Sequence, residues 1–219
     1  MPHDLGQFDR AHAALIVVDL QPDFMPGGAL PVAEGDAIVE PVRRLIEADR
    51  FGLYVATQDW HPRGHVSFAS SHVGKKPLDV IELYGHEQVL WPDHCVQGTP
   101  GAELASGIPW HRMAAVIRKG DDPAVDSYSG LRNNWDQHGQ RPPTGLGGYL
   151  VEREIRDVFV CGLARDYCVK WTAEDAARDG FAVRFLWSLT RPVDPGSNER
   201  VRRELESAGV AVLDVEVPL

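Results

Sequence analysis

The amino-acid sequence predicts an α/β fold, a three-layer α/β/α sandwich around a central, mostly parallel six-stranded sheet. Three observations predict it. Short apolar, β-branched runs alternate with helix-like segments, the rhythm of parallel βα units. The runs are almost continuously apolar, as strands covered on both faces require. The chain, at 219 residues, is long enough for a substantial core, and nothing in it reads as a linker between two domains.

Taken in order, "AALIVVDL" (Ala13 to Leu20) is the first strand, and a helix follows over Asp36 to Asp49. "LYVATQ" (Leu53 to Gln58), "AAVIR" (Ala114 to Arg118) and "DVFVCG" (Asp157 to Gly162) are the next three strands. A second helix is predicted over Asp166 to Asp179. There Val169, Thr172, Ala173, Ala176 and Ala177 recur at helical spacing, and Gly180 stands where a capping glycine belongs. "AVRFLW" (Ala182 to Trp187), a helix over Asn198 to Ala208 and "VAVLDV" (Val210 to Val215) complete the pattern. Two stretches break the rhythm, Asp59 to Arg112 and Lys119 to Leu146, both rich in Gly, Pro, His and Trp. Loops this long in a compact domain are functional or disordered, and their aromatic content argues against disorder. The expectation is one domain over residues 1–219 with long active-site loops at about 59–112 and 119–146.

Composition narrows the function. Lys and Arg total 22 against 32 for Asp and Glu, a formal charge of -10, which argues against nucleic-acid and anionic-membrane partners and in favour of a small-molecule substrate. The opening "MPHDLGQFDR" is polar, and no apolar run approaches the ~18 residues of a membrane span, so a cytoplasmic protein is expected. Cys95, Cys161 and Cys168 contain no CxxC pair, and an odd number cannot pair fully within the chain, so neither a disulfide framework nor a redox couple is indicated.

In an open parallel sheet, ligands bind beyond the carboxyl ends of the strands. Four predicted ends carry reactive side chains: Asp19 at the first, Asp59 and His61 at the second, Lys119 at the third and Cys168 beyond the fourth. A cysteine ordinarily fills a core as a small hydrophobe, and Cys161 inside "VFVCG" fits that role. Cys168 differs, because it falls in the first turn of a predicted helix, where the helix dipole favours thiolate. Asp19 as proton acceptor and Lys119 as neighbouring cation would give that thiol what a nucleophile needs. A second constellation joins "DWHPRGH" to "WPDHC": Asp59, His61, His65 and His94 offer one carboxylate and two or three imidazoles, a set suited to Zn, Fe or Mn. Phe24 and Trp91 either pack the loops or sandwich a flat substrate.

Five ordered motifs, "VVDLQPDFMPGGAL", "TQDWHPRGHVSFASSH", "WPDHCVQGTPGAEL", "KGDDPAVDSYSG" and "CGLARDYCVKWTAEDA", make the chain resemble the nicotinamidases of the isochorismatase-like cysteine hydrolases. The resemblance runs from about Ala13 to about Val193. It implies a catalytic triad of Asp19, Lys119 and Cys168 and one divalent metal held by Asp59, His61 and His94, with His65 as an optional further ligand and no organic cofactor. It further implies a cis Leu163–Ala164 peptide, an oxyanion hole from the backbone N–H groups of Ala164 and Cys168, and a pocket bounded by Phe24, Trp91 and Tyr128. The implied reaction converts nicotinamide, and pyrazinamide as well, to the acid and ammonia through a Cys168 thioester, in NAD salvage, with room for a homo-oligomer. The alternatives are an amidase for a carbamoyl or maleamate-type amide, a vinyl-ether hydrolase of the isochorismatase type, and a catalytically silent metal-binding member. Three departures from the family pattern bear on substrate preference and local hydrogen bonding: Pro22 where Asn is usual, Arg165 where Thr is usual, and Ser188 where Asp is usual.

Overall fold

The computed structural model describes residues 5–215, so the expected domain limits at 1 and 219 lie outside the described residues. In chain order the strands are β1 (Ala13–Val18), β2 (Leu53–Asp59), β3 (Val80–Leu83), β4 (His86–Val89), β5 (Ala115–Lys119), β6 (Asp157–Leu163), β7 (Ala182–Arg191) and β8 (Ala211–Leu213). Six of them form one sheet in the order β5-β2-β1-β6-β7-β8, and every pairing in it is parallel. The helices are α1 (Val39–Glu47), α2 (Leu146–Glu152), α3 (Lys170–Arg178) and α4 (Asn198–Ser207).

Side chains on a strand point to alternate faces, and the apolar runs serve both. Leu15 and Val17 of β1 join Phe159 and Cys161 of β6 in a core covered by Val42, Leu45 and Ile46 of α1. On the other face Ala14, Ile16 and Val18 meet Val158 and Val160, under Leu150 of α2, Ala173 and Ala176 of α3, and Val201 and Leu205 of α4. Helices on both faces explain why the strands read as unbroken apolar runs.

The structure corrects several boundaries. The helix expected from Asp36 opens as a tight 3-10 turn at Gly35–Ile38 before α1 begins. The helix expected from Asp166 opens as a π-helical turn at Arg165–Val169 and becomes α-helical only at Lys170. β7 continues to Arg191, beyond a register shift against β6 between Val160 and Gly162. The expected strand at Val210 to Val215 shrinks to the three residues of β8. Within the long stretches lie the antiparallel β3–β4 hairpin and, at the end of the second, α2, whose "LGGYLVE" is too rich in glycine to read as a helix.

From β1 the order runs outward through β2 and β5 on one side and through β6, β7 and β8 on the other. The reversal between β1 and β6 is the switch point at which an open sheet leaves a crevice beyond its carboxyl ends. Gly162 fixes how close these two strands come. Its φ is +116°, and a Cβ there would lie 2.0 Å from the carbonyl oxygen of Val18.

Candidate active site and metal centre

Sheet register assembles the first half of the site. Asp59 and Lys119 are paired residues at the ends of β2 and β5, and Asp19 follows β1 with a left-handed φ of 45°. Thr57, also on β2, holds Asp19 from beneath: its hydroxyl donates to Oδ1 at 2.6 Å and accepts from the Asp19 N–H at 3.3 Å. Cys168 comes off β6 through the π-helical turn. Thr172 anchors that turn, donating to the Cys168 carbonyl at 2.6 Å while accepting from the Gly130 N–H at 2.8 Å.

Lys119 joins these parts. An ammonium has three hydrogens, and here they go to Asp59 Oδ1 at 2.8 Å, the Ser127 carbonyl at 3.0 Å and Cys168 Sγ at 3.5 Å. Its ammonium also lies 2.9 Å from Asp19 Oδ2, an ion pair between two fully buried groups. Among the described residues Asp19 Oδ2 has no hydrogen-bond partner, although it is fully buried. Such an oxygen is costly to bury unless something fills its lone pairs.

Burial pushes Asp19 above the usual carboxylate range against the pull of Lys119. Burial also pushes the Cys168 thiol well up, with Lys119 opposing and Asp19 reinforcing the rise. Desolvation and the two carboxylates thus oppose the thiolate that the helix dipole favours, and Asp19 is the carboxylate placed to act as proton acceptor. Lys119 stays charged, since Asp19 and Asp59 more than offset its desolvation. Cys161 sits in the core with its thiol pushed up by burial alone.

The second half hangs on the loop after β2. Backbone bonds from Trp60 N to Lys119 O at 2.9 Å, His61 N to Cys95 O at 3.0 Å and Gln97 N to His61 O at 2.8 Å tie three parts of the chain together. His61 Nε2 lies 3.1 Å and His94 Nε2 3.4 Å from Asp59 Oδ2. The opposite ring nitrogens face carbonyls, His61 Nδ1 that of Gly120 at 3.0 Å and His94 Nδ1 that of Pro92 at 2.8 Å. Two imidazoles oriented from behind, with both Nε2 atoms converging on one carboxylate oxygen, form a donor set that fits a divalent ion. Burial opposes the Asp59 charge, but His61 and Lys119 hold this carboxyl well below its usual range.

His65 takes a different place. Its Nδ1 lies 2.7 Å from the Ser67 hydroxyl, and its donor atoms group with those of His61 and Asp126, not with those of Asp59 and His94. Burial and the neighbouring His61 push it down to about 4.

Both halves open into one pocket. Phe24, Trp91 and Tyr128 line it together with Asp59, His61, His94, Ala164 and Cys168. The Leu163–Ala164 peptide is cis. Tyr167 and Asp126 also face the cavity and were missed in the sequence, as were the supports Gln21 and Thr57. Gln21 donates to the Asp59 and Ala102 carbonyls at 2.8 and 2.9 Å and accepts from the Asp59 N–H at 2.7 Å.

The three departures lie outside the cavity wall. Pro22 opens a 3-10 turn ahead of Phe24. Arg165 points away from Cys168, donating to Thr190 Oγ1 at 2.8 Å, to the Trp187 and Thr190 carbonyls at 3.0 and 2.7 Å and to Asn198 at 2.8 Å, with its guanidinium 4.0 Å over Trp187. Ser188 exchanges hydrogen bonds with the Val215 backbone.

A parallel α/β sandwich with a buried thiol at its switch point and an Asp–His₂ donor set beside it is the class this molecule presents. Within that class the chain belongs to the isochorismatase domain family, whose model matches residues 13–217. A nicotinamidase of Acinetobacter baylyi is 44% identical over 200 residues, covering 91% of each chain. Among solved structures, an L. infantum protein in complex with nicotinate has a TM-score of 0.81 at 40% identity, covering 94% of this chain and 93% of its own. The pyrazinamidase of Pyrococcus horikoshii in complex with zinc has a TM-score of 0.74 at 37% identity, covering 92% and 98%.

Proposed function

We propose that this chain, acting as one catalytic domain, is a nicotinamidase that hydrolyses nicotinamide to nicotinate and ammonia and accepts pyrazinamide as well. The observation that carries the chemistry is the buried cluster in which Lys119 Nζ lies 2.9 Å from Asp19 Oδ2 and 3.5 Å from Cys168 Sγ, a carboxylate and a thiol gathered around one cation.

Cys168 Sγ attacks the carboxamide carbon while its proton passes to Asp19. The backbone N–H groups of Ala164 and Cys168 take the developing oxyanion. Asp19 returns the proton to the amide nitrogen, the C–N bond breaks, and ammonia leaves a thioester on sulfur. Water then attacks the thioester carbon as Asp19 takes one of its protons, the C–S bond breaks as Asp19 returns that proton to sulfur, and the acid loses its remaining proton to solvent as nicotinate. Throughout, Lys119 holds Asp19 and Sγ in one cluster, and its charge balances whichever of them is ionised. A divalent ion held by Asp59, His61 and His94 supplies an electrophilic anchor for a ring nitrogen. That donor set suits zinc, iron or manganese, and the zinc-bound pyrazinamidase supports zinc. Phe24, Trp91 and Tyr128 clamp the flat ring.

Ammonia release from nicotinamide, pyrazinamide, benzamide and N-carbamoylsarcosine tests the reading. Wild type should act on the first two, and Cys168→Ala should fall by about 10⁴-fold or more. Activity that survives Cys168→Ala sinks the thiol mechanism. Equal rates on benzamide and nicotinamide count against anchoring through the ring nitrogen.

A further inference from the structure

Asp126 is a buried carboxylate that the chemistry above does not use. It is 2% exposed, lines the cavity and brings an oxygen within 4.8 Å of ring nitrogens of His61 and His65. Each of its oxygens accepts from an N–H, Oδ1 from Ser127 N at 2.8 Å and Oδ2 from Gln88 Nε2 at 2.7 Å. Two N–H donors aimed at its two oxygens are contacts that suit a carboxylate. Among the described residues no Lys or Arg pairs with it. The Gln88 amide that holds it also donates to the Val89 carbonyl at 2.7 Å and lies 3.2 Å from Tyr128 Oη, so the carboxylate sits beside the wall on which the substrate ring would rest.

An unpaired buried carboxylate is costly, and the charge inventory of the site supplies a reason for it. Asp19, Asp59 and Asp126 stand against one Lys119, with the imidazoles neutral as metal ligation requires. Two negative charges remain, and one divalent ion cancels them. Without Asp126 the loaded site would carry a net positive charge, and a small cavity of that sign retains anions.

We propose that Asp126 is a specificity-determining residue that selects for neutral amides and against carboxylates, nicotinate, the enzyme's own product, included. This rests on the nicotinamidase reading and deepens it. The reaction turns a neutral ligand into an anion, and the carboxylate in the wall denies that anion the Coulombic gain the metal would otherwise give it. The same charge disfavours maleamate-type amides, which already carry a carboxylate.

The test uses zinc-loaded protein in a Cys168→Ala background, so that nicotinamide can be titrated without turnover. Calorimetric dissociation constants for nicotinate and nicotinamide are compared with and without Asp126→Asn, with zinc content measured on the same samples. Removing one charge a few ångströms from the ligand in a site of moderate effective dielectric should tighten nicotinate relative to nicotinamide by about tenfold or more. Asp126→Glu should keep the parent ratio. An unchanged ratio in zinc-replete Asp126→Asn overturns the proposal, and so does loss of zinc from that variant, which would make Asp126 a metal-holding group. Should Asp126→Asn not fold, the parent alone decides: nicotinate binding more tightly than nicotinamide overturns the proposal, and the reverse order supports it. Wild-type ammonia release from nicotinamide is assayed beside it, so that failure of the functional reading shows there and not in the ratio.

Discussion

The two halves of the site are built differently. Asp19, Lys119 and Cys168 stand on or just beyond β1, β5 and β6, so the spacing of the sheet places them. His61, His65 and His94 belong to the long excursion after β2, which is placed by individual hydrogen bonds to Lys119, Cys95 and Pro123. A reactive group placed by a sheet is as rigid as the core, whereas one placed by a loop is as rigid as its tethers. Only Asp59 belongs to both halves, as the last residue of β2 and the carboxylate on which the imidazoles converge.

The largest break in this comparison is expected at Lys119. Lys119→Met leaves Asp19 and Asp59 facing each other with no counter-charge. It should abolish ammonia release and destabilise the fold by about 3–5 kcal/mol, as removal of one partner from a buried ion cluster does. Denaturant unfolding of the variant beside wild type measures this, and a loss under 1 kcal/mol would show that the carboxylates relax by taking up a proton.

His94→Ala should do the reverse, sparing the fold and emptying the metal site. Retained zinc after dialysis should drop by more than about 100-fold in affinity, since even an outer partner of a metal ligand is worth about 10–100-fold. The unfolding midpoint of the stripped variant should match that of stripped wild type. A large drop in that midpoint would mean the loop half carries the core as well.

The smallest effect on activity is expected from a residue only three positions from the nucleophile. Arg165→Met removes the donors to the Trp187 and Thr190 carbonyls and should cost about 1–3 kcal/mol of stability. The kcat and KM for nicotinamide should stay within about twofold. A larger change in KM would bring Arg165 into the pocket after all.

The same division explains what could be read from the sequence. The six strands were legible because burial on both faces leaves unbroken apolar runs, and their ends pointed to Asp19, Asp59, Lys119 and Cys168. The metal-type donors were visible as residue types, but not how His65 divides from His94, because that depends on which loop carbonyl each ring nitrogen meets. Asp126, Gln21 and Thr57 were missed for a related reason. Each works through hydrogen bonds to residues distant in the sequence, which leave no period and no motif behind. The desolvation that opposes a thiolate also escaped the sequence: a helix start is a local feature, whereas burial belongs to the whole fold.

Gly162 can be seen as a spacer of fixed thickness. Asp19 follows directly on Val18, and the turn bearing Cys168 begins three residues after Gly162, so the gap between these strands is passed on to the proton acceptor and the thiol. Thickening the spacer by a single methyl group would drive a carbon against the Val18 carbonyl, and the sheet would have to open where proton transfer is least tolerant of distance. Pro22, Arg165 and Ser188 stand around this joint and outside the cavity wall, while the joint itself has no slack.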